Sequence, residues 1–454
     1  MYKHILLYLL GLTVLLAGCQ KKADDVFDKT PDERLADMLA AYQKTLTGAP
    51  YGWKLVIKPK GLEKQDIKVG GFSYYLTFTD ANRVTMLSDF DTTMASVPKE
   101  SGYRLKAVQR PSIYFDTYSY LHIPSDPTAS ISRTPTGANG EGWGSDFDFS
   151  FIDLQPSGDT LHLQGNFNES EAMLVKATQQ EAAAYNNKQL ANSLRMMVNL
   201  NSIGYFKTLT LGGVSYNLGI DEGNRQITFS WLGSNGTVQT YTTGYYYTLA
   251  GIALTEPFNT GRELVRAIDF NSFNAATQVM NVTVNNAANT VFDAKAPLKL
   301  DVNAARRWWQ YSYDRDLYWY SVTAFTVNGV VDAYKMQSSV SRYYYLGYWA
   351  WYNTDVTGVE YGLLSPIKIN AAGNGLTLNY GAAFNPPTFT TDGRIIFTLY
   401  GTLGTTPAAE QAAYINTVNK MLDANGYYLV QKGPLVYDMV SKDGKAWITW
   451  LWPQ

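Results

Sequence analysis

The sequence predicts an α+β fold that is predominantly antiparallel β, built from tandem related modules that each combine a helix with a β-sheet. Aromatic residues make up 14% of the 454 residues, among them 34 tyrosines, and glycine occurs 37 times. Tyrosine suits half-buried strand faces and glycine suits tight turns, so this composition favours strands joined by short connections. Residues 70–83 also recur as residues 212–225, which indicates a duplicated module.

The N-terminus has the layout of a secretory signal peptide, predicted over residues 1–18. A positive charge precedes an almost wholly apolar run over residues 5–16, and small residues follow. Spanning a bilayer takes about 20 apolar residues, so the run is short for that purpose, and a short transmembrane anchor is the alternative. Leu16-Ala17-Gly18-Cys19 resembles the bacterial lipobox, in which the cysteine becomes the first mature residue and carries lipid. We expect Cys19 to anchor the protein to a membrane through more than one acyl chain.

Residues 19–29 are predicted to form a polar tether. Its Asp24-Asp25 pair leaves two interpretations open. A solvated charge run keeps a tether unfolded, whereas an acidic segment behind a lipidated cysteine resembles the surface-export tag of Bacteroidetes lipoproteins. The second interpretation predicts an outer-membrane protein exposed at the cell surface, with the periplasmic face of that membrane as the open alternative.

Charge and cysteine content exclude some classes of function. The formal net charge is −2, so no basic excess is available to neutralise phosphates, and we expect no nucleic-acid partner. Cys19 is the only cysteine, so the mature body has neither a disulfide nor a thiol nucleophile. We expect no cofactor and no metal.

The first module is predicted over residues 30–178 and opens with a helix. Thr30 is placed as its N-cap, Pro31 as its first helical residue, and Glu33 completes a capping box. A strand is expected to follow at residues 51–57.

The duplication defines the second module, predicted over residues 179–300. Residues 70–76 are echoed by residues 212–218, and Asn82-Arg83 by Asn224-Arg225, always at an offset of 142. Each copy looks like a β-hairpin that follows a predicted helix, the second helix lying at about 180–200. Chance similarity between two hairpins is the alternative to a true repeat.

The last module is predicted over residues 301–454. A helix is expected from Thr406-Pro407 to near Gly426, followed by an aromatic strand. Asp443-Gly444 then offers a hairpin turn before a final strand.

Several motifs of the first module resemble one known family. They are the helix leading to Tyr51-Gly52-Trp53, then Phe115-Asp116-Thr117-Tyr118 with His122 close behind, Gly144-Ser145-Asp146-Phe147-Asp148-Phe149, and Leu161-His162-Leu163-Gln164-Gly165. Together they resemble the Bacteroidetes lipoprotein family of domain of unknown function 4302, over roughly residues 25–300. The family's last motif closes with Gly-Lys, where this chain has Gly165-Asn166. The resemblance implies an accessory part of outer-membrane nutrient uptake, with an outer-membrane transporter as a partner, and implies no catalytic residue.

The last module carries sixteen aromatic residues between positions 308 and 352. If Trp319 and Trp349 lie on strands, alternation places aromatic rings on both faces of the sheet, more than one core needs. An exposed aromatic face can stack on sugar rings or hold flat apolar ligands. Packing between two modules is the alternative. The candidate ligand-binding residues all share an indole ring: Trp308, Trp309, Trp319, Trp349 and Trp351.

Other chemistries have weaker signals. Asp314-Arg315-Asp316 would place two acids on one strand face, and with Asp355 and Glu360 they suggest a glycan hydrolase, whose carboxylate separation would set the stereochemistry. An exposed loop with local ion pairing is the favoured alternative. His122 and His162 suggest haem or metal capture, although two unrelated surface histidines are the favoured interpretation. Asp146 with Asp148, and Asp89 with Asp91, have a spacing suited to calcium if the chain is extended there, and solvated strand faces are the commoner alternative.

The sequence therefore predicts a lipid-anchored cell-envelope protein that is a binding or accessory component of nutrient uptake and catalyses no reaction. The membrane, a transporter complex and a glycan or other small external ligand are the expected partners. A glycan hydrolase, and haem or metal capture, are the alternatives.

Overall fold

The computed structural model describes residues 29–61, 69–107, 110–134, 136–140, 142–153, 156 and 158–453. The predicted signal peptide, the lipidation of Cys19 and the acidic pair Asp24-Asp25 lie outside these residues. Among the described residues, no helix has both the length and the apolar character needed to cross a membrane. The fold is mostly antiparallel β with few helices, which confirms the predicted fold class.

The first sheet is a closed barrel of eight antiparallel strands that follow one another in chain order, with β8 pairing back onto β1. Its strands are β1 Trp53–Lys58, β2 Phe72–Phe78, β3 Arg83–Ser88, β4 Lys99–Ala107, β5 Pro111–Phe115, β6 Asp148–Phe151, β7 Thr160–Gly165 and β8 Glu171–Lys176. Inward side chains alternate along β1 and help to fill the interior, as expected for a barrel of this size.

Helix α1, Pro31–Thr47, packs against this barrel. Its N-terminus is the predicted capping box, in which Thr30 and Glu33 satisfy each other's backbone N–H groups. At the other end Tyr42 stacks on Phe151 at 3.9 Å, and the Trp53 indole N–H donates to the Leu46 carbonyl at 2.9 Å. The long connection from β5 to β6 contains a short 3-10 helix, Tyr120–Ser125, and α2, Ala129–Ser132.

The second sheet is also a closed eight-stranded barrel, in which β9 pairs with β10 and β16. Its strands are β9 Lys207–Leu211, β10 Val214–Asp221, β11 Gln226–Leu232, β12 Val238–Tyr247, β13 Gly251–Asn259, β14 Leu264–Asn274, β15 Val279–Val284 and β16 Ala287–Asp293. The repeated segments occupy equivalent places, because β2–β3 and β10–β11 are the second and third strands of their barrels. The helix expected at about 180–200 is two helices, α3 Gln179–Asn186 and α4 Gln189–Ser202, since Lys188 between them takes a φ of +62°.

The third sheet has twelve strands, ten of them in the order β23-β24-β26-β27-β28-β17-β19-β20-β22-β25, with β18 beside β28 and β21 beside β20. Its strands are β17 Tyr318–Ser321, β18 Thr326–Val327, β19 Tyr343–Thr354, β20 Glu360–Ile369, β21 Leu376–Leu378, β22 Gly381–Phe384, β23 Thr388–Phe389, β24 Ile395–Ile396, β25 Leu399–Leu403, β26 Tyr427–Gly433, β27 Val436–Ser441 and β28 Ala446–Leu451. Helices α5 Ala304–Tyr313, α6 Met336–Ser339 and α7 Gln411–Met421 accompany it, and α7 begins later than the predicted Thr406.

The two barrels are joined by a buried ion pair. Arg225, in the turn before β11, donates to the Asp89 carboxylate at 2.9 Å and to the Gly71 carbonyl at 2.8 Å. Neither charged side chain is more than 7% exposed. Asp89 also accepts the backbone N–H of Tyr247, so it serves this interface and the predicted calcium pair with Asp91 is wrong.

The third module contacts the second barrel through the hairpin that joins β27 to β28. The hydroxyl of Tyr205 donates to Asp438 at 2.6 Å, and its backbone N–H donates to the Gly444 carbonyl at 2.8 Å. Lys445 donates to the carbonyl of Ile203 at 2.7 Å.

Candidate functional site

The five candidate tryptophans separate into two environments. Trp308 and Trp319 are fully buried in the core of the third module, where their rings stack at 5.7 Å. The prediction that these two residues line a ligand surface is wrong, because no part of either side chain reaches solvent. Trp309, Trp349 and Trp351 are half-buried.

The prediction for Trp308 is wrong because this residue lies on a helix. Trp308 and Trp309 lie on α5 rather than on a strand, so one ring points into the core and the other packs beside it against Tyr313 at 4.9 Å. The same helix ends at Tyr313, and Asp314-Arg315-Asp316 form the turn that follows it. The predicted acidic strand face therefore does not exist.

Strand alternation explains why Trp319 and Trp349 differ. On β17 the Trp319 side chain enters the core, and Tyr318 and Tyr320 lie on the other face of the sheet. On β19 the core side is supplied by Leu346, Tyr348 and Ala350. Trp349 thus shares the outer face with the tyrosines of β17.

On this outer face seven aromatic rings form a continuous row, which we call the aromatic ladder. In order along the row, its members are Tyr320, Tyr345, Tyr318, Trp349, Tyr352, Tyr361 and Tyr400. Consecutive ring centroids lie 4.5–6.3 Å apart, the range in which aromatic rings attract one another. Tyr400 is exposed, Tyr345 is buried at 8% exposure, and the other five rings are half-buried.

Gly347 provides the floor on which the Trp349 ring lies. A Cβ atom at position 347 would stand 2.8 Å from Cζ3 and 3.1 Å from Cη2 of that ring. Because glycine has no Cβ, the indole can lie low over the strand and meet Tyr318 at a centroid distance of 4.5 Å.

A β-bulge brings Tyr352 into the ladder. The pairing of β19 with β20 shifts register between Trp349 and Asn353, which breaks strict alternation. Strict alternation would have placed Trp349 and Tyr352 on opposite faces of β19. Tyr352 lies 5.8 Å from the Trp349 ring, and among the described residues no aromatic ring stacks on Trp351.

Hydrogen bonds fix several of the phenol groups. The hydroxyls of Tyr318 and Tyr345 lie 2.5 Å apart, and burial raises the pKa of Tyr345 above its ordinary value. At the other end, the Tyr400 hydroxyl donates to Asp355. That bond, with others from Thr357, holds the pKa of the Asp355 carboxyl well below its ordinary range.

The two histidines lie in different environments and do not form a pair of free ligands. His122 is buried, and both ring nitrogens are engaged: Nδ1 accepts from the Ser119 N–H at 3.1 Å, and Nε2 donates to the Phe115 carbonyl at 3.0 Å. Burial lowers its pKa. The expectation that His122 lies on the surface is wrong, whereas His162 is exposed beside Asp153.

Asp146, in one of the family motifs of the first module, holds the loop between β7 and β8 through hydrogen bonds. The Asp146 carboxylate accepts the backbone N–H groups of Phe167, Asn168 and Ser170 at 2.8–3.0 Å. Gly165 leaves room for it, since a Cβ there would stand 2.0 Å from Oδ2 of Asp146. Asp146 precedes β6 instead of sharing a strand face with Asp148, so the predicted calcium geometry is wrong.

No metal centre is found in the part of the chain that the structure describes. There, no three His, Cys, Asp or Glu side chains come together in a way that could hold a metal ion. The ladder can thus offer apolar ring faces, hydroxyl groups and two nearby carboxylates, Asp355 and Glu360, as contacts for a ligand.

The sequence predicts a contact surface in the aromatic stretch 308–352, which contains five of the seven residues of the ladder. Of the five predicted tryptophans only Trp349 belongs to it, and Tyr361 and Tyr400 were not singled out. Density of aromatic residues drew attention to positions 308–352, whereas Tyr400 reaches Tyr361 only through the pairing order of the folded sheet.

Comparison with known proteins gives a family and no function. A family model described as Domain of unknown function (DUF4302) matches residues 23–272, more than half of the chain. No curated protein matches the chain. Among solved structures, a DNA polymerase III subunit beta DnaN sliding clamp from Bartonella birtlesii is 11% identical, with 57% of this chain and 97% of that chain covered and a TM-score of 0.09. A TM-score this low carries no argument.

Proposed function

This chain belongs to the DUF4302 family, and we propose that it is a lipid-anchored envelope protein that binds an external glycan for nutrient uptake. In this proposal the protein captures its ligand and catalyses no reaction. An outer-membrane transporter is the expected partner, and Bacteroidetes lipoproteins are the class it resembles.

The anchoring part of the proposal rests on the sequence. Leu16-Ala17-Gly18-Cys19 ends an apolar run of signal-peptide length, and Asp24-Asp25 follows after a short gap. Lipid on Cys19 would hold the folded modules at the outer membrane, with the tether as spacer. The acidic pair favours the outer face of that membrane.

The binding part rests on one observation, the aromatic ladder on the outer face of the third sheet. Six of its seven rings are half-buried or exposed, and contiguous exposed apolar side chains are a feature of contact surfaces. A sugar ring presents C–H groups of partial positive charge, and an aromatic face is negative, so the two attract when stacked. Hydroxyl groups of Tyr318 and Tyr400 lie at the same surface to bond with sugar hydroxyls.

The ladder suits binding better than hydrolysis. A glycosidase needs one carboxyl group that stays protonated until it donates to the leaving oxygen. The Asp355 carboxyl group instead stays ionised, because its hydrogen bonds lower its pKa. For haem or metal capture, His122 would have to break two hydrogen bonds inside the first module.

Retention on glycans tests the binding surface. We expect the mature protein to be retained on at least one polysaccharide of a neutral panel, and Trp349→Ala to lower the affinity about tenfold, or 1.4 kcal/mol. Trp351→Ala is the matched control, since it removes the same side chain from the same strand outside the ladder. Equal losses in both variants, or release of a shortened glycan by the unchanged protein, would contradict the proposal.

Labelling tests the anchor and its orientation. Cys19→Ala should abolish incorporation of labelled palmitate and release the protein from the outer-membrane fraction. An antibody against the folded modules should label intact cells. Labelling that requires permeabilisation would place the protein on the periplasmic face instead.

A further inference from the structure

The length of the aromatic ladder restricts the kind of ligand that can use it. The row begins on β17 and ends on β25, which are four steps apart in the order of the sheet. Neighbouring strands lie about 4.8 Å apart, so the ladder crosses about 19 Å of the sheet. One sugar ring covers about one aromatic ring, and a ligand that contacts the whole row must contain several rings in line.

Each ring of the aromatic ladder lies within contact range of the next ring, so the binding surface is continuous. The largest step, 6.3 Å between Tyr352 and Tyr361, still leaves the two rings in contact range. Successive contacts within one ligand avoid the repeated entropy loss of separate binding events. Affinity should therefore grow with the number of sugar rings.

The rings are held before any ligand arrives. Tyr318 and Tyr345 are joined by their hydroxyls, Tyr400 is joined to Asp355, and the Trp349 ring rests on Gly347. A surface that is already ordered loses little side-chain entropy on binding.

Charge at one end of the ladder selects against acidic glycans. Asp355 carries negative charge beside Tyr400, and Glu360 precedes Tyr361 and accepts the Tyr313 hydroxyl at 2.8 Å. Repulsion between these carboxylates and a uronic acid or sulfate group acts over about 10 Å at moderate salt.

We propose that the ladder binds a linear, uncharged polysaccharide, with successive sugar rings stacked along the row from Tyr320 to Tyr400. This inference rests on the proposed function, because it presupposes that the ladder binds a glycan. It adds the shape and the charge of that glycan.

Calorimetric titration with oligosaccharides of increasing length tests the inference. The mature lipidated chain is kept in a detergent without a sugar headgroup, and the probes are cello- and malto-oligosaccharides of two, four and six sugars, with polygalacturonate as the acidic polymer. We expect the six-sugar ligand of one series to bind at least about tenfold more tightly than its two-sugar ligand. Polygalacturonate should bind more weakly than the neutral six-sugar ligand.

Variants at the two ends of the ladder separate this inference from the proposed function. Tyr320→Ala and Tyr400→Ala should each weaken the six-sugar ligand several-fold, and by a larger factor than the two-sugar ligand, with Tyr51→Ala in the first module as a matched control. Equal affinities for two and six sugars, or tighter binding of polygalacturonate, would overturn the inference while glycan binding itself stands. Absence of binding to every glycan would overturn the proposed function as well.

Discussion

At the scale of single residues, the ladder depends on one position without a side chain. Gly347 lies under the Trp349 indole, so the orientation of the most central ring is set by a missing Cβ. The other rings are oriented by hydrogen bonds or by stacking on each other. Substitution at this glycine separates the orientation of the ring from its presence.

We predict that Gly347→Ala weakens glycan retention while the protein stays folded. The added Cβ would meet the far end of the Trp349 side chain, which can tilt away at small cost. The expected loss of affinity is about tenfold, and a changed tryptophan emission spectrum should report the new ring position. Gly401→Ala on β25 is the control, because a Cβ there meets no atom within 4 Å. Identical binding by the two variants would refute the role of Gly347.

At the scale of elements, alternation along β17 separates a structural tryptophan from the ladder. Trp319 fills the core next to Trp308, and its indole N–H donates to the Trp308 carbonyl at 3.0 Å. Its neighbours Tyr318 and Tyr320 on the same strand belong to the ladder.

We predict that Trp319→Ala destabilises the third module by about 3–5 kcal/mol, because it opens a large cavity in a packed core. Trp349→Ala should lower the free energy of unfolding by only about 1 kcal/mol, the value of aromatic pairing on a half-exposed face. Urea denaturation of both variants checks this order. A Trp319→Ala protein as stable as the Trp349→Ala protein would contradict the assignment of the two faces.

A second element-scale feature lies where β9 begins and β16 ends. Lys207 is buried there and donates to the Gly204 carbonyl at 2.6 Å. Its backbone lies opposite Asp293 in the pairing of β9 with β16. Burial lowers the pKa of Lys207 to about 8. Asp293, Lys445 and Glu222 are the charged groups that influence it.

We predict that the free energy of unfolding contributed by Lys207 rises with pH between about 8 and 10.5. In that window the unfolded chain binds a proton at Lys207 that the folded chain has released, and unfolding becomes less favourable as the pH rises. Relative to Lys207→Met, the unchanged protein should gain about 1 kcal/mol per pH unit in chemical denaturation. Lys29→Met, at an exposed lysine, controls for the lost charge. Parallel pH curves for the unchanged protein and Lys207→Met would contradict the prediction.

At the scale of the whole molecule, the buried pair of Arg225 and Asp89 ties the second barrel to the first. We predict that Asp89→Ala and Arg225→Ala each cost about 3–5 kcal/mol, because each leaves one charge buried without its partner. The double variant should cost little more than either single variant. A double-mutant cycle by denaturation measures this, and additive losses would show that the two side chains act independently.

Features that depend on neighbouring residues in the sequence could be predicted, whereas features that depend on residues far apart in the chain could not. The capping box of Thr30 and Glu33 is local, and it placed the start of α1 correctly. Barrel closure depends on β1 meeting β8, far along the chain, so no local pattern could indicate it. The aromatic residues of α5 favour strands by composition, and their helix is imposed by packing in the core. For the candidate site, Trp349 was found through local density, whereas the bulge beside Tyr352 and the approach of Tyr400 arise only in the folded sheet.

The two copies of the duplicated turn make different contacts. In the second barrel, the Asn224 carbonyl accepts the backbone N–H of Gly70 in the first barrel, and Arg225 donates to the Gly71 carbonyl. In the first barrel the equivalent arginine, Arg83, instead binds Glu100 of its own sheet. The same repeated arginine therefore joins two barrels in its second copy and pairs within its own sheet in its first copy.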